Sequence, residues 1–149
     1  MKTAAVLDTA CLIGLERLGR LELIPRLLSA AVVPPAVAEE FGPLPDGVTL
    51  GNLTDLRLAE TLRLVLDPGE AEVIALASQL GFRAILDDRK ARLLAAQLNI
   101  PVTGTVGLLL KAKQEGHIPA LRPLLDNLSH AGFHLALALR AEALRLAGE

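Results

Sequence analysis

Five carboxylates stand at positions where they could do chemistry together: Asp8, Glu40, Glu70 and the adjacent Asp87 and Asp88. Asp8 closes the apolar run 3–7, and Asp87-Asp88 close the run 83–86. If both runs are neighbouring parallel strands, their acids meet beyond one edge of the sheet, where open α/β sheets bind ligands. Helical spacing adds two more. On a helix opening at Gly69, Glu70 falls on the apolar face with Val73, Ile74, Ala77 and Leu80, whereas Glu72 falls opposite, with Gln79. On the helix from Pro35 to Phe41, Glu40 flanks the face carrying Val37 and Phe41, and Glu39 points away. An oxygen-only cluster of this kind does not stay fully ionised without a cation, because carboxylates repel. Hard oxygen donors select Mg2+ or Mn2+ over zinc. One or two such ions generate hydroxide from water and stabilise in-line attack on a phosphodiester, which is nuclease chemistry.

Each acid also has a plainer use. A strand-terminal Asp commonly caps the next helix, which is the competing role for Asp8 and for one member of the Asp87-Asp88 pair, since one cap suffices there. Asp67 and Glu70 have the spacing of a capping box, a role compatible with metal binding by Glu70. Thr9 and Thr105 could orient a water or a carboxylate, with capping the stronger reading. Arg89 and Arg92 face outward on a helix whose apolar side holds Ala91, Leu94, Ala95 and Leu98. Lys111 and Lys113 lie near a helix C-terminus, where cations are favoured anyway. His117, His130 and His134 share no ligand spacing with an acid and are given no function.

The elements that must position these acids alternate between strand and helix. Short apolar runs at 3–7, 31–33, 83–86 and 100–103 read as buried strands. Helices are expected after Asp8, over 22–29, from Pro35, over 55–64, from Asp67 to Gly81, after Asp88 to about 98, after Thr105, and over 120–128 and 135–146. The stretch 42–51, with Pro43, Pro45, Gly47 and Gly51, reads as loop. This alternation predicts an α/β domain with a parallel sheet. The expectation is one domain over 1–149, its last helices, about 120–147, forming a C-terminal extension.

Composition narrows the function further. The chain has 149 residues, 52% hydrophobic and 21% charged, which excludes disorder and suits a single core. It has no Trp, no Tyr and three Phe, so a binding module that stacks bases on aromatic side chains, such as an RRM or OB-type surface, lacks its working parts. Cys11 is alone, which rules out a disulfide framework and a Cys-based zinc site. No signal peptide or spanning helix is apparent, since Asp8 and Glu16 interrupt the first apolar run, and a cytoplasmic protein is expected. Net charge is −2, yet the region 39–72 is acidic and 81–113 is basic; on charge alone this reads as an ordinary mixed surface, with a metal pocket rimmed by phosphate-attracting groups as the alternative. No Asp-x-Asp follows the first strand, as haloacid-dehalogenase-type phosphatases require, and no P-loop or dinucleotide fingerprint occurs.

The order and spacing of these motifs resemble the PIN-domain family, and within it the predicted nucleases related to VapC-type toxins. The resemblance rests on the strand ending in Asp8-Thr9, on Val33-Pro34-Pro35 through Glu40-Phe41, and on Asp67-Pro68-Gly69-Glu70 through Ala77. It continues through Leu86-Asp87-Asp88-Arg89 and Val102-Thr103-Gly104-Thr105 to Lys113, so that it covers nearly the whole chain. It implies a three-layer α/β/α sandwich around a short parallel sheet, with Mg2+ or Mn2+ as cofactor and RNA as substrate. Asp8 and Glu40 match the family's first two acids. The third, commonly Asp, is Glu70 here, with Glu72 as the alternative, and the fourth is Asp87 or Asp88. The resemblance further implies a toxin paired with an antitoxin protein. The alternative is a PIN-like RNA- or protein-binding module with a weakened site. The leucines at 135, 137, 139, 144 and 146 are read as covering the domain's own core, with a homodimer interface as the alternative.

Overall fold

A computed structural model describes residues 2–149; residue 1 of the expected 1–149 unit lies outside the described residues. The charge-free run after Lys2 forms β1 (Thr3–Leu7), whose last three residues are fully buried. It lies at the centre of a five-stranded sheet, between β2 (Leu28–Val33) and β4 (Arg83–Ile85). The edges are β3 (Val48–Leu50) and β5 (Val102–Thr103), giving the order β3-β2-β1-β4-β5 with every pairing parallel. Parallel strands covered on both faces need no polar side, which is why these runs are apolar without alternation.

Nine helices occur among the described residues: α1 (Thr9–Arg17), α2 (Leu23–Leu27), α3 (Pro35–Phe41), α4 (Arg57–Leu62), α5 (Pro68–Leu80), α6 (Arg89–Gln97), α7 (Thr105–Gln114), α8 (Arg122–His130) and α9 (Leu137–Leu146). Helix α5 packs on β1 and β4, with α3, α4 and α6 around it, while α7 packs between α2 and α9. The result is the expected α/β/α sandwich. After β1 the chain turns to β2 on one side, and it later enters β4 on the other. The crevice at the carboxyl ends of β1 and β4 is therefore the topological switch point of the sheet.

Two expectations are corrected. The stretch 42–51 is not all loop: Val48–Leu50 near its end is β3, paired along one side to β2. Gly51 follows because the backbone runs so close there that a Cβ would lie 2.6 Å from Val32 Cγ1. The glycine that reads as loop in the sequence marks a close approach. At the other end of the chain, Leu144 is buried, but Leu137, Leu139 and Leu146 are exposed and cover no core.

Ile85 is fully buried, with its backbone between Leu7 and Thr103, and Leu137 is 83% exposed. Truncating Ile85 to Ala is expected to cost about 2–5 kcal/mol in urea unfolding. Leu137→Ala is expected to stay within about 0.5 kcal/mol of the parent.

Candidate functional site

The register pairs Leu7 with Ile85, so the residues that follow each strand emerge side by side. Asp8 occupies the cap position of α1, yet its carboxylate accepts no capping hydrogen bond. It is only 8% exposed. Burial pushes its carboxyl up to about 7, with the Thr9 amide opposing and the charges of Asp67, Glu40 and Asp87 adding to the rise. Thr9 Oγ1, next in the chain, is buried without a hydrogen-bond partner among the described residues.

The Asp87-Asp88 pair divides the work differently from the single cap expected. Asp87 crosses to the start of α7, where its two oxygens accept from the Thr105 amide at 2.7 Å and the Thr105 hydroxyl at 2.6 Å. Asp88 caps its own helix, α6, by accepting from the Ala91 amide at 3.0 Å. Two helices begin here, so both carboxylates are used. Thr105 spends its hydroxyl on orienting a carboxylate, the less favoured of the two roles weighed for it.

At the start of α5 the capping box is complete: Asp67 accepts from the Glu70 amide at 2.7 Å, and Glu70 accepts from the Asp67 amide at 3.3 Å. Burial, reinforced by the charges of Asp67, Asp88 and Asp8, lifts Glu70 to about 7. Gly69 lies between the two groups of acids. A Cβ there would sit 3.3 Å from Asp8 Oδ1 and 3.5 Å from Asp67 Oδ1. The bare backbone thus admits both oxygens into one small space. Asp67, which the sequence identifies only as a cap, is in this way a member of the cluster; its signal was the carboxylate three residues before Glu70.

Glu72 does not point outward as the helical wheel predicts. It is buried, accepts from the Ala36 amide at 2.9 Å and pairs with the Arg63 guanidinium. Helix α5 packs against the sheet and three other helices, so it has no polar face at this level. Glu72 caps α3 from another element and braces the helix that carries the exposed Glu40. Arg92 also departs from its expected outward direction: its Nη1 donates to the Leu86 carbonyl at 2.8 Å, beside Asp87. Arg89 stays exposed.

Asp8, Glu40, Asp67, Glu70, Asp87 and Asp88 thus gather at the switch point, and none is ion-paired among the described residues. Their donors are all oxygen and their charge is of one sign, which fits a hard divalent cation. The Gly69 cradle and the orphaned Thr9 hydroxyl fit the same use. Among the described residues, no three His, Cys, Asp or Glu side chains form a ready-made coordination shell; the cluster is open on the solvent side, where Glu40 and Asp88 are exposed.

Comparison with known proteins bears on the fold. The family model DUF3368, a PIN domain, matches residues 4–149. No curated protein and no solved structure matches the chain. No helix among the described residues is long and apolar enough to cross a membrane.

Two outcomes follow from the electrostatics. Unfolded, Asp8 and Glu70 ionise near their ordinary values of 3.8 and 4.5; folded, they hold their protons to about 7. The native state therefore binds more protons across that window. The stability contributed is complete below about 4 and lost as pH rises through about 7. In EDTA, Asp8→Asn is expected to gain in Tm relative to wild type as pH is raised from about 5 to about 7.5; a constant difference would contradict the assignment. Glu72→Ala, which uncaps α3 and strands Arg63, is expected to cost about 1–2 kcal/mol in urea unfolding.

Proposed function

This chain belongs to the PIN-domain family, whose fold is that of a nuclease, and we propose that it is a divalent-metal-dependent ribonuclease. The observation that carries this reading is the group of unpaired carboxylates around the buried Asp8, at the point of the sheet where ligands bind. A bound Mg2+ or Mn2+ would supply Lewis acidity at a scissile phosphodiester and neutralise the charge of the cluster. Asp8, Asp87 and Glu70 are the residues assigned to hold it, with Glu40 and Asp88 on the open side and Asp67 added as a sixth acid. Asp87 is preferred to Asp88 as the ligand from β4. Its carboxylate is fixed by Thr105 and acts on Asp8, whereas Asp88 is exposed.

The remaining tasks fall to neighbouring groups. Thr105 fixes the orientation of Asp87, as the outer partners of metal ligands do. Burial of Asp8 keeps water away from one side of the cluster and strengthens every charge interaction there. Arg89 and Lys90, exposed on the first turn of α6, are placed to meet the phosphates of a strand. The cellular role that fits best is the toxin of a toxin–antitoxin pair, acting in the cytoplasm. The exposed Leu137, Leu139 and Leu146 support contact with an antitoxin or a second copy of the chain.

A second reading has its own support. Asp67 and Glu70 satisfy each other, and Asp88 satisfies α6, so these carboxylates are already employed in the fold. A weakened PIN domain that binds RNA or protein without cutting would retain all of these contacts.

Calorimetric titration with Mn2+ separates the two. Wild type is expected to bind the ion, and Asp8→Asn to lose both binding and at least about a hundredfold in RNA cleavage rate. Thr105→Val is expected to weaken Mn2+ affinity about tenfold or more. Undiminished cleavage by Asp8→Asn would sink the nuclease reading.

A further inference from the structure

A cavity of about 450 Å³ opens directly beside Asp87, and its walls include Arg92, Gly104, Phe133, His134 and Leu139. Its volume falls within the ~300–1,000 Å³ of small-molecule sites. Its chemistry is unlike that of the acidic cluster it adjoins. One wall is a guanidinium, another an aromatic ring followed by an imidazole, and the floor is apolar, with Val102 and Val106.

The aromatic wall is notable for where it stands. The chain has three Phe and three His, with no Trp or Tyr, yet one of each lines this cavity, consecutive in sequence. They sit on the turn between α8 and α9, which is firmly held. The Phe133 amide donates to the Leu128 carbonyl at 3.0 Å, and Arg17 Nη1 donates to the Ala131 carbonyl at 2.7 Å. Gly132, at φ +95°, turns the chain toward the cavity. Arg140 pairs with Asp126 at 2.7 Å and ties α9 to α8. One edge of the Phe133 ring reaches α1, 3.8 Å from where a Cβ on Gly14 would lie. His134 is exposed.

Arg92 forms the facing wall. One of its nitrogens is committed to the Leu86 carbonyl, and it has no ion pair among the described residues. A guanidinium has further donors to offer an anion. Gly104 makes room for it: a Cβ there would lie 2.8 Å from Arg92 Nη1 and 3.0 Å from Asp87 Oδ1. A cation, an aromatic pair and an apolar floor next to a carboxylate cluster are what one unstacked nucleotide requires.

We propose that this cavity is a nucleotide subsite, holding one splayed base of single-stranded RNA against Phe133 and His134 while Arg92 takes the phosphate that leads to Asp87. It rests on the nuclease reading and extends it: the chain lacks the aromatics to stack a run of bases, and selects at one position instead. Phe133 and His134 are then the residues that set sequence preference, and the turn between α8 and α9 becomes part of the site.

The test is fluorescence anisotropy with labelled pentaribonucleotides of each of the four bases and an abasic pentamer, in EDTA and again in Ca2+. Wild type is expected to bind at least one base-bearing strand about tenfold more tightly than the abasic one, equivalent to roughly one stacked base. Phe133→Leu, which keeps an apolar side chain, and the exposed His134→Ala are each expected to lose most of that preference. Mn2+ titration is expected to match wild type in both, as is thermal unfolding of His134→Ala, and His130→Ala is expected to behave as wild type throughout. Equal affinity for abasic and base-bearing strands, no binding of any strand in either buffer, or full preference in the Phe133→Leu/His134→Ala double variant would each overturn the subsite. Base-dependent binding by a wild-type protein that cleaves nothing in Mn2+ would remove the nuclease reading and support the subsite.

Discussion

Mutual repulsion among carboxylates at the carboxyl ends of β1 and β4 is the constraint around which this molecule is arranged. Asp8 is buried with other acids as its electrostatic neighbours; burial is the main cause of its elevated pKa, and the charges of Asp67, Glu40 and Asp87 add to it. Once ionised, such a group contributes no stability to the fold. It persists because the sheet fixes both strand ends, and α5, packed on β1 and β4, brings a third set of acids to the same place. The architecture thus works against its own electrostatics at one point, which is what a site designed to receive a cation would show.

The arrangement is economical because the same carboxylates satisfy helix termini. Helix starts expose backbone donors that need acceptors, and four helices take theirs from acids in or near the cluster. Asp87 serves α7, Asp88 serves α6, the Asp67–Glu70 pair closes α5, and Glu72 serves α3 from the far side. Each hydrogen bond fixes a carboxylate as well as a helix, so the site is held by the same contacts that hold the layers together. The glycines at 69 and 104 complete the design by leaving space where two polar side chains approach one backbone.

The open side of the cluster has a different character. Glu40, Asp88, Arg89 and His134 are exposed there or nearby, and the cavity that Asp87 borders carries a guanidinium and aromatic groups on its other walls. A phosphate-bearing ligand approaching bare carboxylates meets repulsion; one guided past Arg92 meets attraction first. The division between an acidic floor and a basic, aromatic rim is a property of the surface that net charge, at −2, conceals.

Much of this was legible in the chain itself. Short apolar stretches ending in Asp8 and Asp87 marked two strands and the edge at which their acids stand, because the buried middle of a parallel strand is apolar and carboxylates follow where the chain leaves the sheet. The Asp67-Pro68-Gly69-Glu70 start of α5 was equally plain, since capping is a local interaction and its residues lie within one turn. What no local pattern contained was which other element each side chain would meet. Glu72 reads as a surface residue on an isolated helix, and only the packing of α5 among its neighbours buries it and hands it the Ala36 amide. Arg92 reads as solvated until the Leu86 carbonyl is brought beneath it, and β3 reads as loop until β2 offers it partners. Phe133 and His134 have no spacing relation to Asp87, 46 and 47 residues away, and meet its cavity only because α9 packs on α7 and the turn before it is held against α1. The sequence by itself determined the strands, the caps and the acids; the tertiary structure alone decided their partners, because burial and contact between distant segments depend on packing that no single periodicity encodes.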